Sequence, residues 1–139
     1  MSDKEKTLLE QEAAAKPEVR INGQMYRLRF DLWALEQIEQ EFGGIRQAFD
    51  AMSSGAGMVS TTRKLFAILA NCQRNLDGMP ETVTGSEINS HEGLGTLREV
   101  STAIRAAIRD GMKAETADGG EASDKSANPL DKEYERKNG

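Results

Sequence analysis

Apolar and polar positions alternate along Val19–Ile21 and again along Tyr26–Phe30, on either side of Asn22-Gly23. That pair suits a two-residue type I′ turn, because both central residues need positive φ. With the turn there, Ile21 faces Gln24 and Val19 faces Tyr26. Side chains alternate between the faces of a strand, so Val19, Ile21, Tyr26, Leu28 and Phe30 share one side. Arg20, Arg27 and Arg29 fall on the other. A slip by one residue scatters this pattern, so the register is self-consistent. An isolated hairpin is marginal in water, and its apolar side has to pack on helices or on another sheet.

The period then changes from two to 3.6 without a linker. Asp31 is a good N-cap, its carboxylate accepting from N–H groups that have no partner inside the helix. Phe30 and Leu35 then hold the two positions of a hydrophobic staple. Leu32, Leu35, Ile38 and Phe42 form the expected buried stripe, with Glu36, Gln37, Gln40 and Glu41 on the polar sides. Trp33 lies beside the stripe, placed to close the hairpin–helix junction. Gly43 suits the left-handed residue that ends a helix.

Beyond the Gly43-Gly44 break, Ile45, Ala48, Phe49 and Met52 follow the spacing of a short amphipathic helix. A flexible connection over 53–57 leads to a third helix, for which Ser60 or Thr61 is the expected cap. Leu65, Phe66, Ile68, Leu69, Cys72 and Leu76 give it a broad apolar face and make it the expected central helix. Gly78 and Pro80 oppose its continuation. Glu87 and Ile88 fit a short helix before Gly93. The last strong element spans about Leu94 to Met112, with Leu97, Val100, Ile104, Ala107, Ile108 and Met112 inward. The expected class is α+β, mostly α: an N-terminal β-hairpin followed by about four helices.

Composition sets the boundaries. Residues 1–16 are charged and helix-permissive, with Leu8 and Leu9 as their main apolar content. Residues 114–139 hold only Leu130 and Tyr134 as large apolar groups, too few to offset the entropy of ordering, and read as a disordered acidic tail. The folded part is then about 17–113, near the lower range for an independent domain. The start has no apolar signal-peptide core, and no run approaches the ~20 apolar residues of a membrane span. A lone cysteine, Cys72, excludes an internal disulfide, suits the cytoplasm, and continues an apolar stripe as a buried structural thiol.

Charge narrows the partners. The net charge is −5, and it is spread: residues 17–112 carry 10 basic against 12 acidic side chains. A nucleic-acid binder usually shows a basic stripe, and Arg20, Arg27 and Arg29 are the only candidate for one. A solvated strand face is the plainer reading, so neither nucleic acid nor membrane is the expected partner. Catalytic chemistry is equally thin. His91 is the only histidine, and His91-Glu92 lacks the second histidine of a zinc helix. Gly93-Leu94-Gly95 lacks the further residues of a phosphate loop. Glu36, Glu39 and Glu41 are dispersed around their helix. No enzyme, cofactor or metal is expected.

The series Ile21-Asn22-Gly23, Tyr26-Arg27-Leu28-Arg29-Phe30, Ala34-Leu35, Ile38-Glu39 and Phe42-Gly43 resembles the start of small phage tail assembly chaperones, most nearly the gene-transfer-agent branch. The Phe66-Ala67-Ile68-Leu69-Ala70 helix is similar to that family's apolar central helix, and Gly93-Leu94 leading into Leu97–Ile108 also fits. The likeness covers about Val19 to Met112. It implies a non-enzymatic cytoplasmic factor of phage or prophage tail morphogenesis that binds the tape-measure protein. The tail tube subunit and a second copy of the chain are further candidate partners. Residues around Phe42, Phe49 and Met52 would offer the apolar groove, with methionine adapting to varied partners, unless they fill the protein's own core. The resemblance also implies production in two lengths by frameshifting, for which the codons of Arg136-Lys137-Asn138 can supply a slippery run. Two alternatives stay open: a structural tail component retained in the particle, and a DNA-binding regulator using Arg20, Arg27 and Arg29 as a wing.

Overall fold

The computed structural model describes residues 15–118. Strands β1 (Glu18–Ile21) and β2 (Gln24–Arg27) form a two-stranded antiparallel hairpin. Asn22 and Gly23 both have positive φ, at 52° and 81°, as the type I′ turn demands. The pairing is Val19 with Tyr26 and Ile21 with Gln24, the register expected from the alternation. Val19, Ile21 and Leu28 are buried, and the Tyr26 ring meets Phe66 edge-on at 5.2 Å between centroids. Such aromatic pairs add about 0.5–1.5 kcal/mol beyond the area they bury.

Four α-helices follow: α1 (Leu32–Phe42), α2 (Ile45–Ser53), α3 (Met58–Leu76) and α4 (Leu94–Asp118), with a 3-10 turn at Gly85–Glu87 between the last two. The domain is therefore α+β and mostly helical. Helix α3 is its centre. Leu65, Phe66, Leu69, Ala70 and Cys72 are buried on it, and they meet Ile38 of α1, Val19 and Ile21 of the hairpin, and Val100 and Ile104 of α4 in one continuous core.

Helix α1 starts and stops where expected. The Asp31 carboxylate accepts from the Ala34 N–H at 3.2 Å, and Gly43 adopts the left-handed conformation with its N–H on the Glu39 carbonyl. Its buried face, however, is rotated from the expected stripe. Ala34 and Ile38 are fully buried, Leu35 and Phe42 are only half-buried, and Leu32 is 81% exposed. The small Ala34 lets α1 approach α3 closely, and the tie between Asp31 and Cys72 of α3 fixes the rotation. Leu32, the first helical residue, is thereby turned outward.

Helix α3 is capped at Gly57, three residues before Ser60 and four before Thr61, the two expected caps. Thr61 and Thr62 lie inside the helix and are buried, and the Thr62 hydroxyl donates to the Met58 carbonyl at 2.8 Å. Burial against the core removes both from any capping role. Leu76, expected on the buried face, closes the helix beyond the core and is exposed. The chain then returns along α3. Asn71 holds the Val83 backbone at both its N–H and its carbonyl (3.0 and 2.9 Å), as a neighbouring strand would.

Helix α4 buries Val100, Ala103, Ile104, Ala107 and Ile108, while Met112 is half-exposed, against expectation. Its backbone continues to Asp118, past the boundary expected at Lys113. The expected flexible segment and acidic tail otherwise lie outside the described residues. Gly111 sits well inside this helix because the hairpin–helix junction crosses there. A Cβ at 111 would overlap the Phe30 carbonyl oxygen and lie 2.8 Å from the ring carbon Cδ2. No helix among the described residues is long and apolar enough to cross a membrane.

Candidate functional site

Of the three arginines expected to share one face, Arg20 and Arg27 lie in the strands and Arg29 follows them. Arg20 and Arg27 remain on the exposed face of the hairpin, beside Met25, and Arg20 Nη1 donates to the Gly23 carbonyl at 3.2 Å. Strand β2 ends at Arg27, after which the chain passes onto α3: the Leu28 N–H reaches the Pro17 carbonyl, and the Arg29 N–H reaches the Leu69 carbonyl at 3.1 Å. Arg29 Nε consequently meets Asp31 Oδ2 at 2.9 Å.

Asp31 is the polar node of this junction. Its two oxygens accept from the Ala34 N–H, from Arg29 Nε, and from Cys72 Sγ at 3.0 Å. Partial burial pushes its carboxyl up, but the hydrogen bonds from Cys72, Arg29 and Ala34 outweigh it, and the net shift is downward. Burial, followed by the Asp31 carboxylate, pushes the Cys72 thiol up to about 12. A thiol so placed is a structural group, as its position in the apolar stripe implies. Tyr26 is raised for related reasons: burial first, then its hydrogen bond to Glu87 Oε1 at 3.0 Å.

The apolar trio also separates. Met52 is 3% exposed and belongs to the core, while Phe42 and Phe49 are half-buried and pack against that core. Their chief role is to hold α1 and α2 on α3, and the patch is not an open groove. Met52 does form part of one, but from below. A groove of about 660 Å³ runs between the end of α2, the start of α3 and the first turns of α4. Met52, Met58, Leu94 and Leu97 give it an apolar lining, and Arg98 and Arg105 stand on its rim. Leu94 is 75% exposed.

A second groove of about 800 Å³ lies at the other end of α4, against the hairpin–α1 junction. Phe30, Leu32, Leu35, Ile45 and Met112 line it. Leu32 was expected in the buried stripe of α1, whereas Leu94 opens the last helix outside its expected inward set; each is the first residue of its helix. Within α4, Leu94 shares a face with Arg98, Ser101 and Arg105, which also line the first groove, whereas Leu97 lies on the edge of the buried stripe of Val100, Ile104 and Ile108.

Elsewhere, Arg63 reaches across to the 3-10 turn, its Nη2 donating to the Ile88 carbonyl at 2.6 Å and to Ser90 Oγ at 3.2 Å. His91 is exposed. Glu36 and Glu39 are exposed, and Glu41 pairs with Lys64 at 2.9 Å. Among the described residues no group of three or more His, Cys, Asp or Glu side chains is placed to hold a metal ion. In comparisons with protein families, characterised proteins and solved structures, nothing matches this chain.

Proposed function

We propose that this chain is a non-enzymatic tail assembly chaperone of a phage or prophage, acting in the bacterial cytoplasm on the tape-measure protein before the tail is built. The observation that carries the reading is the groove at the start of α4. An exposed leucine, two methionines and Leu97 line it, and two arginines stand at its edge. A tape measure is a long helix with apolar stripes that aggregate when uncovered. A groove of this kind takes an amphipathic helix by its i, i+3, i+4 anchors, and methionine lets one surface fit several turns of a varied sequence. Arg98 and Arg105 favour stripes flanked by acidic residues. The resemblance over Val19–Met112 supplies the biological setting. The tail tube subunit remains a further candidate partner.

Co-expression with the tape-measure protein of the same genome tests this. The two should co-purify. Leu94→Asp should weaken capture about tenfold or more, equivalent to about 1.4 kcal/mol, with an unchanged melting temperature. Phe42→Asp or Phe49→Asp would be a poor probe, because both side chains support the core. Absence of co-purification, or capture indifferent to Leu94, refutes the reading. Stoichiometric retention of the chain in finished particles would replace it with a structural tail role.

A further inference from the structure

The groove at the start of α4 does not end at its arginine rim. We propose that it continues around the start of α3 into a cationic socket at Arg63, which takes a carboxylate of the bound segment. The surface then selects an amphipathic helix that carries acidic residues beside its apolar stripe. The inference rests on the reading of the α4 groove as a helix-binding surface.

Met58 joins the two parts. It lines the α4 groove and also a cavity of about 630 Å³ beside the first turns of α3, whose walls include Gly57, Ser60, Arg63, Lys64 and Ser86. Arg63 and Ser86 in turn border a smaller cavity of about 370 Å³, with Asn89, Ser90 and His91. Among the described residues, no Asp or Glu lines any of the three. In a chain of net charge −5 this is a local reversal of sign. The groove at the far end of α4 does not share it, having Asp31 and Asp110 in its walls. Lys64 is paired with Glu41, but Arg63, Arg98 and Arg105 form no ion pair among the described residues. Apolar anchors in the groove would thus have unpaired arginines on both flanks, a field complementary to an acidic partner.

Arg63 is placed as a receptor more than as a surface cation. Its Nη2 is committed to the Ile88 carbonyl and Ser90 Oγ, while Nη1 makes no hydrogen bond among the described residues and Nε is buried without a partner. Gly85 lets the 3-10 turn press onto the arginine stem, since a Cβ there would lie 2.9 Å from Arg63 Cβ. The carboxylate of that turn, Glu87, is engaged by the Tyr26 hydroxyl. A guanidinium partly withdrawn from water gains most from a charged acceptor. Because its stem is already fixed, a carboxylate binding it avoids the cost of ordering the side chain.

Peptide binding to the full-length protein tests this. Two designed helical peptides share one leucine stripe and differ only in the flanking residues, Glu in one and Gln in the other. By fluorescence anisotropy the Glu peptide should bind about tenfold more tightly at about 50 mM NaCl, and the preference should shrink at about 300 mM. Arg63→Gln should cut the preference about threefold or more while leaving the affinity for the Gln peptide unchanged, which also shows that the groove is intact. In unmutated ¹⁵N-labelled protein the Arg63 Nε–H signal should shift with the Glu peptide and not with the Gln peptide, a readout that needs no variant to fold. Equal affinities, an unmoved Arg63 signal, or a preference that survives Arg63→Gln overturns the socket. Failure of both peptides to bind overturns it together with the groove. The chaperone reading fails separately: an Arg63-dependent Glu preference without capture of the tape-measure protein keeps the socket and removes that assignment.

Discussion

Replacing Gly111 with alanine sets two sizeable effects against each other. Glycine inside a helix costs about 1 kcal/mol relative to alanine, so local propensity alone predicts that Gly111→Ala stabilises the protein. The tertiary contact predicts the reverse. The added Cβ would overlap the Phe30 carbonyl oxygen and lie 2.8 and 3.0 Å from Phe30 Cδ2 and Cβ, where carbon atoms prefer about 3.5–4.0 Å. The ring can rotate away, but the carbonyl is backbone. It is pinned between the Arg29 N–H, bonded to Leu69, and Asp31, which caps α1 and binds Cys72. Overpacking of this kind costs about 1–3 kcal/mol, and the rigid neighbour places this case in the upper part of that range. After the propensity gain, the net loss is about 1–2 kcal/mol, or roughly 4–15 °C in melting temperature for a domain of this size. Urea unfolding followed by circular dichroism measures it. Gly95→Ala is the control: it lies on the same helix, with nothing within 4 Å of the added carbon, and should be neutral or stabilising. If Gly111→Ala stabilises by the full helix increment, the close crossing of α4 over the hairpin–α1 junction is wrong.

Two further predictions concern the polar node. Asp31→Ala should cost about 1–2 kcal/mol in a urea titration at pH 7, whereas Asp31→Asn, still a good cap, should lose much less. The folded carboxyl lies below its unfolded value near 4, so its contribution is present above that pH and is lost as pH falls below it; in Asp31→Asn the acid side of the stability profile should flatten. Cys72 should be inert to a disulfide reagent at pH 8 in the native protein and react only as fast as the domain opens; prompt labelling would contradict its burial. Its thiol is raised on folding, so its contribution is intact below the ordinary value of 9.0 and declines as pH climbs toward about 12, a slope that Cys72→Ala should remove.

Legibility in the sequence followed the range of the interactions. The hairpin register, the Asp31 cap and the Gly43 stop depend on residues within a few positions of one another, and all stand as the pattern predicts. The rotation of α1 depends on Ala34 meeting α3 and on a bond between residues 31 and 72, which no local window contains. The end of β2 before Arg29 has the same origin. Alternation puts it with Arg20 and Arg27, but its backbone N–H belongs to Leu69, and that contact ends the strand. Thr61 has the chemistry of a cap and is buried four residues into its helix, because the core required its side chain more than the helix end did. The candidate site was the least legible part. Periodicity identifies what is apolar on a helix face, and in a small domain those residues are mostly consumed internally, as Met52 is.

The three exposed leucines share one position, the end of a helix, and what surrounds each separates a site from ordinary surface. Leu32 and Leu94 open their helices and Leu76 closes its own, so each projects past the elements that cover the rest of the face. Scattered exposed leucines are normal and by themselves mean little. Leu94 is joined by Met58 and Leu97 in one groove, and Leu32 by Leu35 and Ile45 in the other, whereas Leu76 lines neither. Leu94 and Met112 are 18 residues apart, about 27 Å along α4, so a single side-chain substitution in one groove does not reach the other. Leu76→Asp and Leu32→Asp should therefore leave both tape-measure capture and melting temperature unchanged, while Leu94→Asp alters capture alone. If Leu94→Asp behaves like the other two, exposure at a helix end is the whole explanation and the groove at the start of α4 is not a site.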